Sequence, residues 1–157
     1  MHFASRGGAL SVTVAVAFLV RLSLVALFLP FSARDKLRNF GGAVAQARGI
    51  GVGVRTGRTL VLAGLFVEVV MSLGVLTGIA DRMAALVLAL YCVATALLYK
   101  RFWLAEDREV FWEFWKNIAV AGGFLLITFG TGARDVAAFF EAPFSSTHPY
   151  SMNEAAR

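Results

Sequence analysis

The chain has 157 residues, of which 59% are apolar or aromatic and 16% charged. Soluble domains carry about 45–50% apolar and about 25% charged residues, so a mean hydropathy of +0.72 excludes an ordinary water-soluble domain, and the same apolar excess excludes a disordered chain. A net charge of +5 and a pI near 10.0 would suggest nucleic acid in a soluble protein. Here most Lys and Arg sit between apolar runs, where they set topology and meet lipid headgroups, so the expected partner is the bilayer and no nucleic acid.

A bilayer core needs about 20 apolar residues per helix. After an N-terminal extension, residues 1–11, the first span is predicted at 12–31, interrupted only by Arg21. That charge falls in the middle of what would be a leader's apolar core, and the run is too long for one, so a cleaved signal peptide is disfavoured. Residues 32–58 are basic, with Arg34, Lys36, Arg38, Arg48, Arg55 and Arg58 against Asp35. The small-residue centre of this connection, 40–53, is expected to lie at the interface or to fold back onto the bundle. The second span, 59–80, is broken only by Glu68, and a tight turn around Asp81-Arg82 leads to an uncharged third span, 83–99. The next connection is charged and then aromatic. Trp103, Trp112 and Trp115 have the pattern of interfacial anchors. The fourth span, 114–132, opens with Lys116 and Asn117. Residues 133–157 form a polar tail. The predicted fold is all-α, an integral membrane four-helix bundle with an interfacial segment between the first two spans.

Ten Lys and Arg fall on the side of the first and third connections. Four (Arg6, Arg82, Arg134 and Arg157) fall on the side of the termini and the second turn. The positive-inside rule then places both termini outside, in the periplasm for a bacterial inner membrane.

With the first span at 12–31 its middle is Arg21, and the middle of the second lies next to Glu68. Adjacent spans run antiparallel, so both charges are expected at one depth. Gly64 and Ser72 flank Glu68 at i±4, the small-residue spacing of a helix-packing face. An isolated Arg at a helix centre is unfavourable by ~2.5 to well over 10 kcal/mol, and a nearby carboxylate is the least demanding remedy. The sequence therefore predicts a buried Arg21–Glu68 ion pair, with Tyr91 placed to hydrogen-bond to it. The pair either fixes helix register or lines a cavity for a polar headgroup or a proton. Lys116 either snorkels to the interface or joins a ligand site. The single Cys, Cys92, excludes a disulfide framework and a thiolate cluster, and reads as a small buried hydrophobe. No span holds a His, and Met71 is the one Met well inside a span, so no haem centre is expected from this chain. No metal site is evident either. Residues 49–53, GIGVG, lack the strand before and helix after that a glycine fingerprint requires.

Four segments in order carry a resemblance. RLSLVALFLPFSARDKL runs from Arg21 to Lys36-Leu37, and NFGGAVAQARGIGV follows. FVEVVMSLGVLTGIADRMAAL holds Glu68, Gly74, Gly78, Arg82, Ala84 and Ala85. FWKNIAVAGGFLLITFGTGARD holds Lys116, Asn117, Gly130 and Gly132. Together they resemble the DoxX family of small four-span membrane proteins over about Arg21 to Asp135. Two features depart from the family pattern: Ala33 or a neighbour replaces a Gly ahead of the Lys, and Gly49-Ile50-Gly51 lacks the usual Pro. The resemblance implies an accessory membrane subunit of a respiratory or quinone-linked redox complex, without its own haem or metal. A quinone headgroup would then take hydrogen bonds from Arg21, Lys116 or Tyr91, and Lys36 and Asn117 are further candidate contacts. Partner redox subunits are expected, and a homo-oligomer is compatible. The alternatives are a small-molecule or lipid carrier and a purely structural or assembly subunit.

Overall fold

The computed structural model describes residues 3–105 and 108–151. Among these, the regular elements are helical: α1 (Phe3–Ala26), a π-helical turn (Leu27–Ser32), α2 (Ala33–Arg38), α3 (Phe40–Arg48), α4 (Val54–Thr77), α5 (Asp81–Tyr99), α6 (Phe102–Ala105), α7 (Arg108–Phe129) and α8 (Ala133–Glu141). Four stretches are long and apolar enough to cross a membrane: Val12–Arg38, Val54–Thr77, Asp81–Leu104 and Arg108–Phe129. The protein is an all-α integral membrane four-helix bundle.

The N-terminal boundaries, and the C-terminal end of the first span, move outward from the apolar runs for a physical reason. Hydropathy marks where lipid touches the chain, whereas Lys, Arg and Glu are good helix formers and carry a helix past that point. The first helix begins at Phe3, inside the supposed extension, and does not stop at residue 31. It passes Pro30 as a π turn and continues as α2 to Arg38. Pro has no N–H to give to the ladder, and a wider turn inside an α-helix absorbs that defect. The second span ends at Thr77 because Gly78 takes a left-handed cap (φ 77°). Gly130 (φ 62°) ends α7 the same way, as left-handed C-terminal glycines do.

Helix α5 is the hub, packing against both α4 and α7. It buries a stripe of mostly small residues, Asp81, Ala84, Ala85, Leu88, Ala89, Cys92 and Ala96, at three- and four-residue spacing. Small side chains let backbones approach closely, and at Gly74 an added Cβ would lie 2.9 Å from the Ala84 Cβ. Val25, Phe28, Val75, Leu88 and Phe124 fill the centre. Most large apolar side chains on α1 stay exposed, as a lipid-facing helix requires.

Of the two positions expected for residues 40–53, at the interface or folded back onto the bundle, the structure has the second, and the polar tail packs onto the bundle as well. Helix α3 lies along α4, with Val44 and Ala47 buried against Val61. Asn39 starts it by accepting a hydrogen bond from the Gly42 N–H at 3.2 Å, so the first connection folds back. The polar tail is not loose over its described part: α8 is followed by an irregular strap with two turns, 142–151, docked across the α4–α5 turn. There Tyr150 donates to the Leu76 carbonyl at 2.5 Å and its ring lies 6.4 Å from Phe18.

Candidate functional site

Glu68 sits on the buried face of α4 with Val61, Gly64, Ser72 and Val75. Its Oε1 accepts from the Lys36 ammonium, from the Tyr91 hydroxyl at 2.8 Å and from the Ser32 hydroxyl at 3.0 Å. Lys36 also donates to the Tyr91 oxygen at 3.0 Å and stands 5.6 Å from the centre of its ring. Among the described residues the other carboxylate oxygen, Oε2, is buried without a hydrogen-bond partner. Gly64 makes room for this arrangement, since a Cβ there would lie 2.9 Å from the Tyr91 hydroxyl.

The predicted Arg21–Glu68 pair does not form. Arg21 pairs with Asp81 instead, Nη2 to Oδ2 at 2.8 Å, and donates to the Val75 carbonyl at 2.8 Å and the Thr147 hydroxyl at 2.6 Å. Thr147 in turn gives its backbone N–H to Asp81 at 2.9 Å and its hydroxyl at 2.5 Å. Asp81 is fully buried and Arg21 nearly so. The error lay in the end of the first helix. Extending the span to Arg38 moves its midpoint from Arg21 to Val25, so Arg21 slides toward the α4–α5 turn and Lys36 is drawn inside. The Arg21 anchor at Val75 is seven residues along α4 from Glu68, about 10 Å at 1.5 Å per residue. Two buried clusters at different depths therefore replace one midplane pair.

The π turn sets which side chains share a face. In an uninterrupted α-helix the fifteen residues from Arg21 to Lys36 would leave them about 60° apart. The wider turn takes up that excess, and Arg21, Val25, Phe28, Ser32 and Lys36 all point into the bundle.

The Glu68 cluster opens on a cavity of about 350 Å³ between α2, α3, α4, α5 and α7. Its polar lining includes Lys36, Glu68, Tyr91, Gln46, Thr95 and Asn117, and its walls include Leu27, Phe28, Leu60 and Val61. Lys100 stands at the same cavity and is paired with Glu113 at 2.5 Å. Of the predicted site residues, Lys36, Glu68, Tyr91 and Asn117 thus meet in one place. Arg21 belongs to the other cluster. Lys116 is exposed and does not line the cavity, because the next residue on α7, Asn117, takes the inward position. Trp103, Trp112 and Trp115 are about half exposed and interlock edge-to-face with Phe102, Phe111 and Phe114 around the α6–α7 corner. Ser32, Asp81 and Thr147 were missed. The i−4 spacing of Ser32 from Lys36 was a usable signal once the helix was known to continue, and Asp81 was hidden by being read as a turn residue. Nothing local in the sequence marks Thr147.

The family profile for DoxX matches residues 16–101, more than half of the chain. No curated protein and no solved structure is significantly similar to it. The matched segment contains Arg21, the π turn, Lys36, the α3 cover, Glu68, Asp81 and Tyr91, that is, nearly the whole of both charged clusters. The chain belongs to the DoxX family.

Proposed function

We propose that this DoxX protein is an accessory subunit of a respiratory, quinone-linked redox complex in a bacterial inner membrane, and that the Lys36–Glu68–Tyr91 cavity receives the quinone headgroup. The observation that supports this is an ammonium, a phenol and a carboxylate gathered in a largely apolar cavity within the membrane spans, with Glu68 Oε2 unpartnered. The volume lies at the lower end of the roughly 300–1,000 Å³ usual for small-molecule sites.

The residues present fit such a group. Its carbonyls accept hydrogen bonds, and the Lys36 ammonium and the Asn117 amide can donate them, while the single Tyr91 O–H proton goes to Glu68. A bound quinone supplies two-electron, two-proton redox chemistry. The chain's own part is to orient and to handle a proton. Lys36, Tyr91 and Ser32 all hold Oε1 of Glu68, which leaves Oε2 as the oxygen free to take a proton from a hydroxyl in the cavity. Helix α3 covers one side of the site with Ala43, Gln46 and Ala47.

The test is purification in native-lipid nanodiscs, solvent extraction and chromatography. Near-stoichiometric quinone and a co-purifying redox partner are expected, with quinone lowered several-fold in Glu68→Gln and Lys36→Met while the helical content holds. Recovery as a lone chain with neither quinone nor redox partner overturns the proposal. Substrate flux in liposomes containing only this protein would favour a carrier instead.

A further inference from the structure

A second cleft, of about 500 Å³, lies at the opposite end of the bundle, where α1 and α7 diverge beside the α4–α5 turn. Its floor carries Arg21, Arg82 and Thr147, and its sides are Val20, Leu24, Leu126 and Ile127. Charge accounting separates the two arginines. Arg21 is matched by Asp81. Among the described residues no carboxylate stands within ion-pair distance of Arg82; its Nη1 has only a 3.3 Å hydrogen bond to the Asp135 backbone carbonyl, and its buried Nε has no partner. The Asp135 carboxylate, which also borders the cleft, turns to the start of α8, where it accepts the Gly132 N–H at 3.1 Å. Acidic groups at a helix N-terminus are stabilised there.

We propose that this cleft binds an anionic phospholipid, its phosphodiester on Arg82 and one acyl chain along the apolar walls between α1 and α7. Three features point the same way. A guanidinium presents several donors in a plane, a geometry suited to phosphate oxygens, and among the described residues the Asp135 carbonyl, at Nη1, is the one acceptor Arg82 meets, so its Nη2 is left to an incoming group. The apolar walls continue into the lipid-facing surface of α1, where Val16, Leu19 and Val20 are exposed, so a chain entering from the bilayer meets no polar barrier. The guanidinium is at the first turn of α5, level with the membrane boundary set by the α4–α5 turn, which is where a headgroup lies. Asp135 restricts the site to a singly charged phosphodiester in preference to a dianionic monoester.

The experiment is native mass spectrometry of the full chain, delipidated in detergent and re-exposed to phosphatidylglycerol, phosphatidylcholine or inorganic phosphate. Phosphatidylglycerol should be retained about fivefold better than phosphatidylcholine, as one arginine near the surface provides. Arg82→Gln should abolish that preference, and Arg82→Lys, which keeps the charge and guards against a folding defect, should keep most of it. Equal retention of the two lipids overturns the proposal, as does an unchanged preference in Arg82→Gln. Displacement of the lipid by millimolar inorganic phosphate would also overturn it, by showing a site for the free ion. Quinone content is unaffected by any of these outcomes, so this site and the Glu68 cavity fail or stand separately.

Discussion

A double-mutant cycle decides which cation serves Glu68. The Glu68 side chain is 2% exposed and that of Lys36 22%, so Lys36→Met leaves a carboxylate nearly out of reach of water. Breaking a buried pair by removing one partner destabilises by about 3–5 kcal/mol. The lower end applies here, because Lys36 is partly wet and Tyr91 and Ser32 still donate to Oε1. A loss of about 3 kcal/mol corresponds to about 6–12 °C in melting temperature for a chain of this size. Glu68→Gln in the same background should recover much of it, giving a coupling of about 1.5–3 kcal/mol for residues in direct contact. The matching cycle with Arg21→Met and Glu68→Gln should be additive within about 0.5 kcal/mol, since Arg21 is held by Asp81 and Thr147 at another depth. Unfolding in mixed micelles, by rising SDS and by heating, followed by circular dichroism, measures all six proteins. Coupling of Arg21 to Glu68 as large as that of Lys36, or a Lys36→Met variant melting within 2 °C of the parent, would refute the pairing scheme.

Two further outcomes follow from the same contacts. Gly64→Ala should displace the Tyr91 ring, whose hydroxyl would lie 2.9 Å from the new Cβ, and lower stability by about 1 kcal/mol through the lost Tyr91–Glu68 hydrogen bond; in a Tyr91→Phe background the same change should be nearly neutral in the unfolding assay. Thr147→Val preserves shape but removes the hydroxyl shared by Arg21 and Asp81, so a loss of about 1.5–3 kcal/mol is expected for hydrogen bonds to charged groups, together with faster proteolytic release of the strap.

The sequence carried the architecture because lipid imposes a simple rule: apolar runs of sufficient length become helices, and four of them are plain. It carried Glu68, Tyr91, Lys36 and Asn117 because polar residues inside or beside such runs are rare enough to stand out. It misassigned their partners because depth along a helix depends on where the helix ends, and composition marks only where lipid ends. The apolar run ends at residue 31, whereas the chain passes Pro30 as a π turn and carries Lys36 inward. The Arg21–Asp81–Thr147 cluster was out of reach for a different reason. It joins residues more than 120 positions apart, and nothing in the local pattern of a polar tail says that it returns to the bundle.

Arg21 and Lys36 ride on one continuous rod, α1, the π turn and α2, fifteen residues or roughly 20 Å apart. Each is clamped to a different neighbour, Arg21 to Asp81 and Lys36 to Glu68, at different depths of the bundle. A rod pinned at two heights cannot spin about its own axis unless both pins give way together. The azimuth of α1 is thereby locked, and its broad greasy flank always points outward at the same angle, whatever lipid or protein comes to rest against it.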